Sequence, residues 1–179
     1  MKAWKLKCVV LAMLSLAGGM AAHAQDNGED VFYLGGGSAK SSNSAYSSGD
    51  TPKTFGYLKL SNLDDTVWGI DVSAEGTMFD STYGQDNAAK QATSVNALIG
   101  QNIATSGSFR MDAAFIAGVR DRTTSCPPSY VGYQCYANTV PDTSYAFNYG
   151  VALTVSYKNI LLGVRATGES TQAMVGIRF

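Results

Sequence analysis

From Val31 to Phe179, apolar and polar side chains alternate one by one in segment after segment. This is the period-2 signature of strands whose two faces meet different surroundings. The last segment is the plainest. Ser170 to Phe179 puts Ala173, Val175, Ile177 and Phe179 on one face, with Gln172, Met174, Gly176 and Arg178 on the other. Asn159 to Thr167 sets Ile160, Leu162, Val164 and Ala166 against Arg165. Ser144 to Lys158 sets Tyr145, Phe147, Tyr149, Val151, Leu153, Val155 and Tyr157 against Ala146, Asn148, Ala152 and Thr154. Upstream, Ser108 to Arg120 offers Phe109, Met111, Phe115 and Val119 against Arg110, Asp112 and Arg120. Ala92 to Gln101 offers Val95, Ala97 and Ile99 against Ser94 and Asn96. Thr66 to Met78 places Trp68, Ile70, Val72, Ala74 and Met78 opposite Asp71, Ser73 and Glu75. Lys53 to Ser61 is read with Leu58 and Leu60 on the apolar face and Tyr57 and Lys59 on the other. Val31 to Ser38 is read with Phe32 and Leu34 opposite Tyr33 and Gly35. That makes eight strands, and no segment keeps a helical period.

The connections sort by length. Residues 39–52, 79–91 and 121–143 are long and rich in Ser, Gly, Asn, Asp and Tyr. Residues 62–65, 102–107, 158–159 and 168–169 are short. The short link at 168–169 falls on the side where the others are long. Long loops on one rim and short turns on the other fit an up-and-down barrel. The polar faces carry small residues with a few charges rather than the Lys and Glu of a wetted surface, which suits a narrow barrel interior. The apolar faces carry aromatics near their ends. Tyr145 and Tyr157 lie twelve residues apart, roughly 30 Å along the axis of a tilted strand and close to a bilayer's apolar depth. Hydrocarbon tolerates no unpaired backbone, so a spanning sheet must close on itself. The expected fold is therefore all-β, an eight-stranded antiparallel up-and-down transmembrane β-barrel, with both termini on the short-turn side.

Composition then sharpens the outline. The chain has 179 residues, 45% hydrophobic and only 15% charged, with a net charge of −1, so it lacks the basic footprint of a nucleic-acid binder. Its first 24 residues run from Lys2, Lys5 and Lys7 through an apolar stretch, Cys8 to Met20, to Ala22-His23-Ala24. This is the pattern of a cleaved secretory signal peptide, and the stretch is too short for a membrane span. Residues 1–24 are assigned to that peptide and 25–179 to the barrel. Cleavage would leave a net charge of −4, no histidine, and two cysteines, Cys126 and Cys135. In an oxidising compartment these two are expected to form one disulfide that stiffens the longest loop.

With these residues in view, the chain resembles the small eight-stranded outer-membrane barrels of Gram-negative bacteria, the OmpA/OmpX-like superfamily. The terminal Val175-x-Ile177-x-Phe179 resembles the signal read by the barrel assembly machinery. The resemblance implies an outer-membrane location, contact with outer-membrane lipid and lipopolysaccharide, and an external ligand or surface met through the loops. It says little about activity, because this architecture hosts many functions.

The candidate chemistry is sparse. Without histidine, Ser-His-Asp acyl transfer and histidine metal sites are excluded for the mature chain. No cofactor, metal or enzymatic activity is expected. The charges assigned to the interior are Lys59, Asp71, Glu75, Arg110, Asp112, Arg120, Arg165 and Arg178. Unpaired charge is costly in a narrow lumen, so a mixed-sign network is expected, with Arg110 or Arg165 meeting Asp71 or Asp112. The leading functional reading is a structural or surface-interaction barrel. The alternative is a narrow, low-conductance channel for ions or small solutes.

Overall fold

The computed structural model describes residues 28–40, 51–82, 87–126 and 142–179. They form eight strands: β1 (Glu29–Ala39), β2 (Lys53–Leu60), β3 (Thr66–Asp80), β4 (Asn87–Ser106), β5 (Phe109–Ser125), β6 (Asp142–Tyr157), β7 (Ile160–Thr167) and β8 (Ser170–Arg178). Each pairs antiparallel with its neighbour in sequence, and β8 returns to β1, so the barrel is closed. The seam continues past the end of β8, where Asp30 and Phe179 exchange two backbone hydrogen bonds of 3.0 Å. The residues assigned to a signal peptide lie outside the described ones.

The ladder fixes the tilt. From Asp30, successive partners are Lys59, Trp68, Ile99, Phe115, Val151, Ala166 and Thr171, and the circuit returns to β1 at Ser38, eight residues from its start. Eight strands with a stagger of eight give a tilt of about 37°.

Side chains are sorted in the reverse of a water-soluble protein. Phe32, Leu34, Phe55, Ile70, Ile99, Phe115, Val151, Leu153, Leu162, Val164, Val175 and Ile177 point outward and are exposed, Phe115 at 71%. Asp71, Glu75, Arg165, Asn96, Asn148 and Gln172 point inward and are buried. Such an apolar girdle around a polar interior is stable in hydrocarbon and not in water. The barrel therefore spans a membrane.

Five assignments are corrected. Tyr57 and Lys59, expected inside, stand on the outer face. Leu58 and Leu60, expected outside, are buried in the lumen at 1% and 0% exposure. Phe55, 57% exposed, marks the true phase of β2. The lower lumen is filled by an apolar cluster that takes Leu58 and Leu60, so the two leucines serve a core rather than lipid. Lys59 instead pairs with Asp30 at 3.3 Å near the lower rim, where a long cationic side chain can reach water. Met78 was also placed outward and is buried. The β3–β4 register shifts between Ala74 and Thr77, and Gly76 there adopts φ +77°. One extra residue flips every side chain beyond it.

Strand heights are unequal. β4, β5 and β6 run 20, 17 and 16 residues, whereas β2 and β7 run 8 each. The expected long connections at 79–91 and 121–143 are consequently shorter than the alternation suggested, because the strands continue past the apolar girdle. Two strand edges are left above the short walls. The edge of β3 is covered: Phe79 and Asp80 pair with β4 on one side and with Thr123 and Thr124 of β5 on the other. Ser81 N–H adds a 2.9 Å bond to the Thr124 carbonyl. At the opposite rim, Asp64 accepts from the backbone N–H and hydroxyl of Thr66. Hydrogen bonds from Ser61 and Thr66 lower its pKa to about 2.

Candidate functional site: the lumen and the outward rim

The lumen is built in layers. At the short-turn end, Arg110 Nε donates to Asp112 Oδ1 at 2.8 Å, and its Nη1 donates to the Ser61 carbonyl and to Asn62 Oδ1. Asn102 Nδ2 also donates to Asp112. Arg178 bridges Glu29 at 3.0 Å and reaches Ser156 Oγ at 3.2 Å. Among the described residues, Arg110 Nη2, Asp112 Oδ2 and Arg120 Nε carry no hydrogen bond. Above this layer lie Val31, Tyr33, Leu58, Leu60, Val67, Leu98, Ile116, Leu161 and Met174, a packed hydrophobic core. Large side chains fill this level, where small ones were expected.

The upper half is polar. Arg165 on β7 reaches across to β3, donating to Asp71 Oδ2 at 3.0 Å and to Glu75 Oε2 and Oε1 at 2.8 Å. Arg165 and Glu75 are each 0% exposed. Two carboxylates against one guanidinium leave an excess negative charge, and neutral donors surround it. Asp71 accepts from the Tyr33 hydroxyl at 3.0 Å and Asn96 Nδ2 at 2.6 Å. Glu75 accepts from Asn148 Nδ2 at 2.9 Å, Ser94 Oγ at 3.0 Å, Thr167 Oγ1 at 2.8 Å and Ser170 Oγ at 2.5 Å. Hydrogen-bonded burial of this kind is what makes ionised groups tolerable in a low-dielectric interior. Neither carboxylate side chain meets solvent. The arrangement cross-braces opposite walls. Arg120 and Glu169 form a 2.7 Å ion pair between β5 and the β7–β8 turn.

Gly56 makes one of these contacts possible. A Cβ there would lie 2.2 Å from Tyr33 Cζ. The ring crosses the space above β2 to reach Asp71, the register partner of Gly56 on β3. Replacing Gly56 with Ala is expected to push the ring aside and cost about 1–3 kcal/mol, read as a lower urea midpoint for loss of the folded gel mobility. Tyr33→Phe should cost less, because it keeps the packing.

The remaining assigned residues are placed as follows. Val175, Ile177 and Phe179 face outward, and the Phe179 ring lies 5.7 Å from that of Phe32. Phe32 also contacts Phe55 and Tyr57, and Tyr57 contacts Trp68, so rings from three strands and the C-terminus form one outward patch. Cys126 follows β5, its N–H donating to Thr82 Oγ1 at 3.0 Å. Cys135 and the expected bridge lie outside the described residues. The sequence signal for Arg165 was its phase on a strand of apolar neighbours. Glu169 carried no such signal, being a turn residue.

Neither a protein-family model nor a curated protein matches this chain. Two similar solved structures are of the Yersinia pestis outer membrane protein Ail. One, in a phospholipid bilayer nanodisc, is 11% identical with a TM-score of 0.46, covering 86% of this chain and 100% of that one. The other, in complex with the heparin analogue sucrose octasulfate, is 16% identical with a TM-score of 0.44, covering 85% of this chain and 99% of that one. The closed eight-strand ladder, the outward apolar girdle and a lumen filled by an apolar lower layer and a polar upper one give this chain the architecture of a small outer-membrane β-barrel.

Proposed function

We propose that this chain is an integral outer-membrane protein of a Gram-negative envelope whose role is structural and adhesive, exercised by the parts of β3–β6 and the loops that rise beyond the lipid. The observation that carries this reading is the filled lumen. Arg165 and Glu75 in the upper layer and Leu60 and Leu161 in the lower one are each 0% exposed. An eight-stranded barrel is only wide enough for its own side chains. That favours a brace over the narrow-channel alternative, and catalysis is not part of the proposed role. Export through cleavage after Ala24, recognition of Val175, Ile177 and Phe179 by the assembly machinery, lipopolysaccharide around the girdle and a Cys126–Cys135 bridge complete the reading.

The test pairs two measurements on one protein. Purified barrel in planar bilayers should give no discrete conductance steps. Cells of a non-adherent Gram-negative host displaying it should bind a cultured epithelial monolayer better than cells carrying the empty vector. Steady unitary currents without a gain in adhesion would replace this reading with the channel.

A further inference from the structure

The outer wall of β1, β2 and β3 carries charge among its rings. Among the described ion pairs, Asp30–Lys59 is the one on the lipid-facing surface, its side chains 35% and 21% exposed. The Tyr57 hydroxyl donates to Asp30, and Lys59 Nζ donates to the Gly28 carbonyl. Just above, the Phe32 ring lies 5.5 Å from that of Tyr57, and Tyr57 lies 6.0 Å from Trp68. We propose that this wall is the contact face of a two-fold homodimer within the membrane, formed with a second copy of the chain inserted in the same direction. Such a dimer goes beyond the surface-contact role and does not depend on it.

Symmetry makes the wall complementary to itself. For two copies crossing the bilayer in the same direction, the two-fold axis runs along the membrane normal, and each residue meets what lies at its own height across that axis. At a tilt of about 37°, one residue along a strand rises about 2.6 Å, and one step from β1 to β2 or from β2 to β3 rises about 3 Å. Asp30 is the register partner of Lys59, and Lys59 of Trp68. Lys59 therefore stands about 3 Å above Asp30, while Phe32 and Trp68 stand level to within about 1 Å. The same tilt puts the midpoint between Asp30 and Lys59 and the midpoint between Phe32 and Trp68 on one vertical line. An axis on that line sets Asp30 against the partner's Lys59 and Phe32 against the partner's Trp68, and each contact is made twice. Tyr57 lies beside the axis and meets the partner's Ile70. Barrel walls curve away from such a line, and the large rings at its flanks span the widening gap.

Hydrocarbon supplies no hydrophobic drive to association, so packing and polar contacts must supply it. Rings already held against one another lose little freedom on docking. The second acid–base pair closes a ring of four alternating charges at the edge of a medium where attraction between charges is strong. The far wall offers no such pattern, since Phe115, Val151 and Leu153 on its outer face are apolar.

The test uses the full barrel, labelled at its amino terminus with a donor or an acceptor dye and folded into phosphatidylcholine vesicles. Energy transfer should rise with the protein-to-lipid ratio and fall on dilution with lipid. Asp30→Lys and Lys59→Asp each set like charges against one another across the axis, and each alone should weaken dimerisation about tenfold or more. Mixed in equal amounts, the two variants restore both pairs across the axis, and their association should return to within about threefold of wild type. Both variants also lose the pair within each barrel, so recovery on mixing reports the contact between copies alone. Trp68→Ala should weaken the dimer about tenfold, and Phe115→Ala on the far wall should stay within about threefold. Three results would overturn the proposal: wild-type transfer no greater than that of randomly scattered barrels, no gain on mixing the charge variants, or equal losses from Trp68→Ala and Phe115→Ala. If either charge variant fails to give the folded, heat-modifiable band, the wild-type dilution series and the Trp68–Phe115 comparison decide the matter. Adhesion is scored separately on cells, so loss of the dimer leaves the surface-contact reading standing.

Discussion

Replacing Arg165 with Met should destabilise the barrel by about 3–5 kcal/mol, the largest single effect expected here, because it strands two buried carboxylates without their cation. Asp71 and Glu75 lie on one strand, and Arg165 bonds both from the opposite wall. Without it, each carboxylate keeps neutral donors, Tyr33 and Asn96 for Asp71, and Asn148, Ser94, Thr167 and Ser170 for Glu75. Those donors lower the cost of burial without cancelling the charge. The measurement is urea titration of the folded, heat-modifiable gel band. Arg165→Lys should fall between wild type and Met, since a point-like ammonium cannot fork to both partners. Adding Asp71→Asn and Glu75→Gln to Arg165→Met should recover much of the loss. A triple variant no more stable than Arg165→Met would mean that the braces act through shape rather than charge.

Replacing Val151 with Arg should cost about 2–4 kcal/mol, the depth-dependent penalty for a cation on the lipid face of a barrel. Val151 is 51% exposed on β6 and lies on the circuit that joins Phe115 to Ala166. Its neighbour Ala152 is 4% exposed and faces the lumen beside Arg165, its register partner. Ala152→Ser should be mild, because a small hydroxyl can find a partner there. The same titration in detergent and in lipid vesicles separates the two causes. The Val151→Arg penalty should be larger in vesicles, and the Ala152→Ser effect should not change. Equal penalties at both positions would contradict the inward–outward assignment.

Most of the architecture was legible because alternation reports a change of solvent at every residue. On β5, β6, β7 and β8 the outward side chains are mostly apolar and the inward ones mostly polar or small, Ile116, Leu161 and Met174 apart, so phase could be read directly. β2 misled for a definite reason. Its inward positions Leu58 and Leu60 are as apolar as its outward ones, since the lower lumen is a hydrophobic core. Lys59 sits outside because it lies at a rim, where the rule inverts. Composition cannot separate an apolar interior from an apolar exterior. Only the neighbours in space can, here Val31, Val67 and Leu161. Met78 failed through a local event, the extra residue at Gly76, which a binary pattern does not announce. The inner charges were visible as phases, but the convergence of Arg165 on two carboxylates follows from the stagger of the ladder, which no single strand encodes. Arg120 shows the same limit, because its partner Glu169 belongs to a turn.

The wall formed by β1 and β2 has a consequence for the surrounding lipid. On β2, Lys53 and Lys59 bracket only Phe55 and Tyr57 on the outer face, a greasy height of roughly 15 Å at this tilt. On β6, the outward run from Tyr149, level with the top of β7, down to Tyr157 reaches roughly 20 Å. Leaning moves the two walls in opposite directions but cannot equalise them, so the mismatch must be taken up by the annulus of acyl chains, pinched beside the two lysines and relaxed on the far side. The protein thus carries around its circumference a fixed gradient in the thickness of the leaflets it sits in.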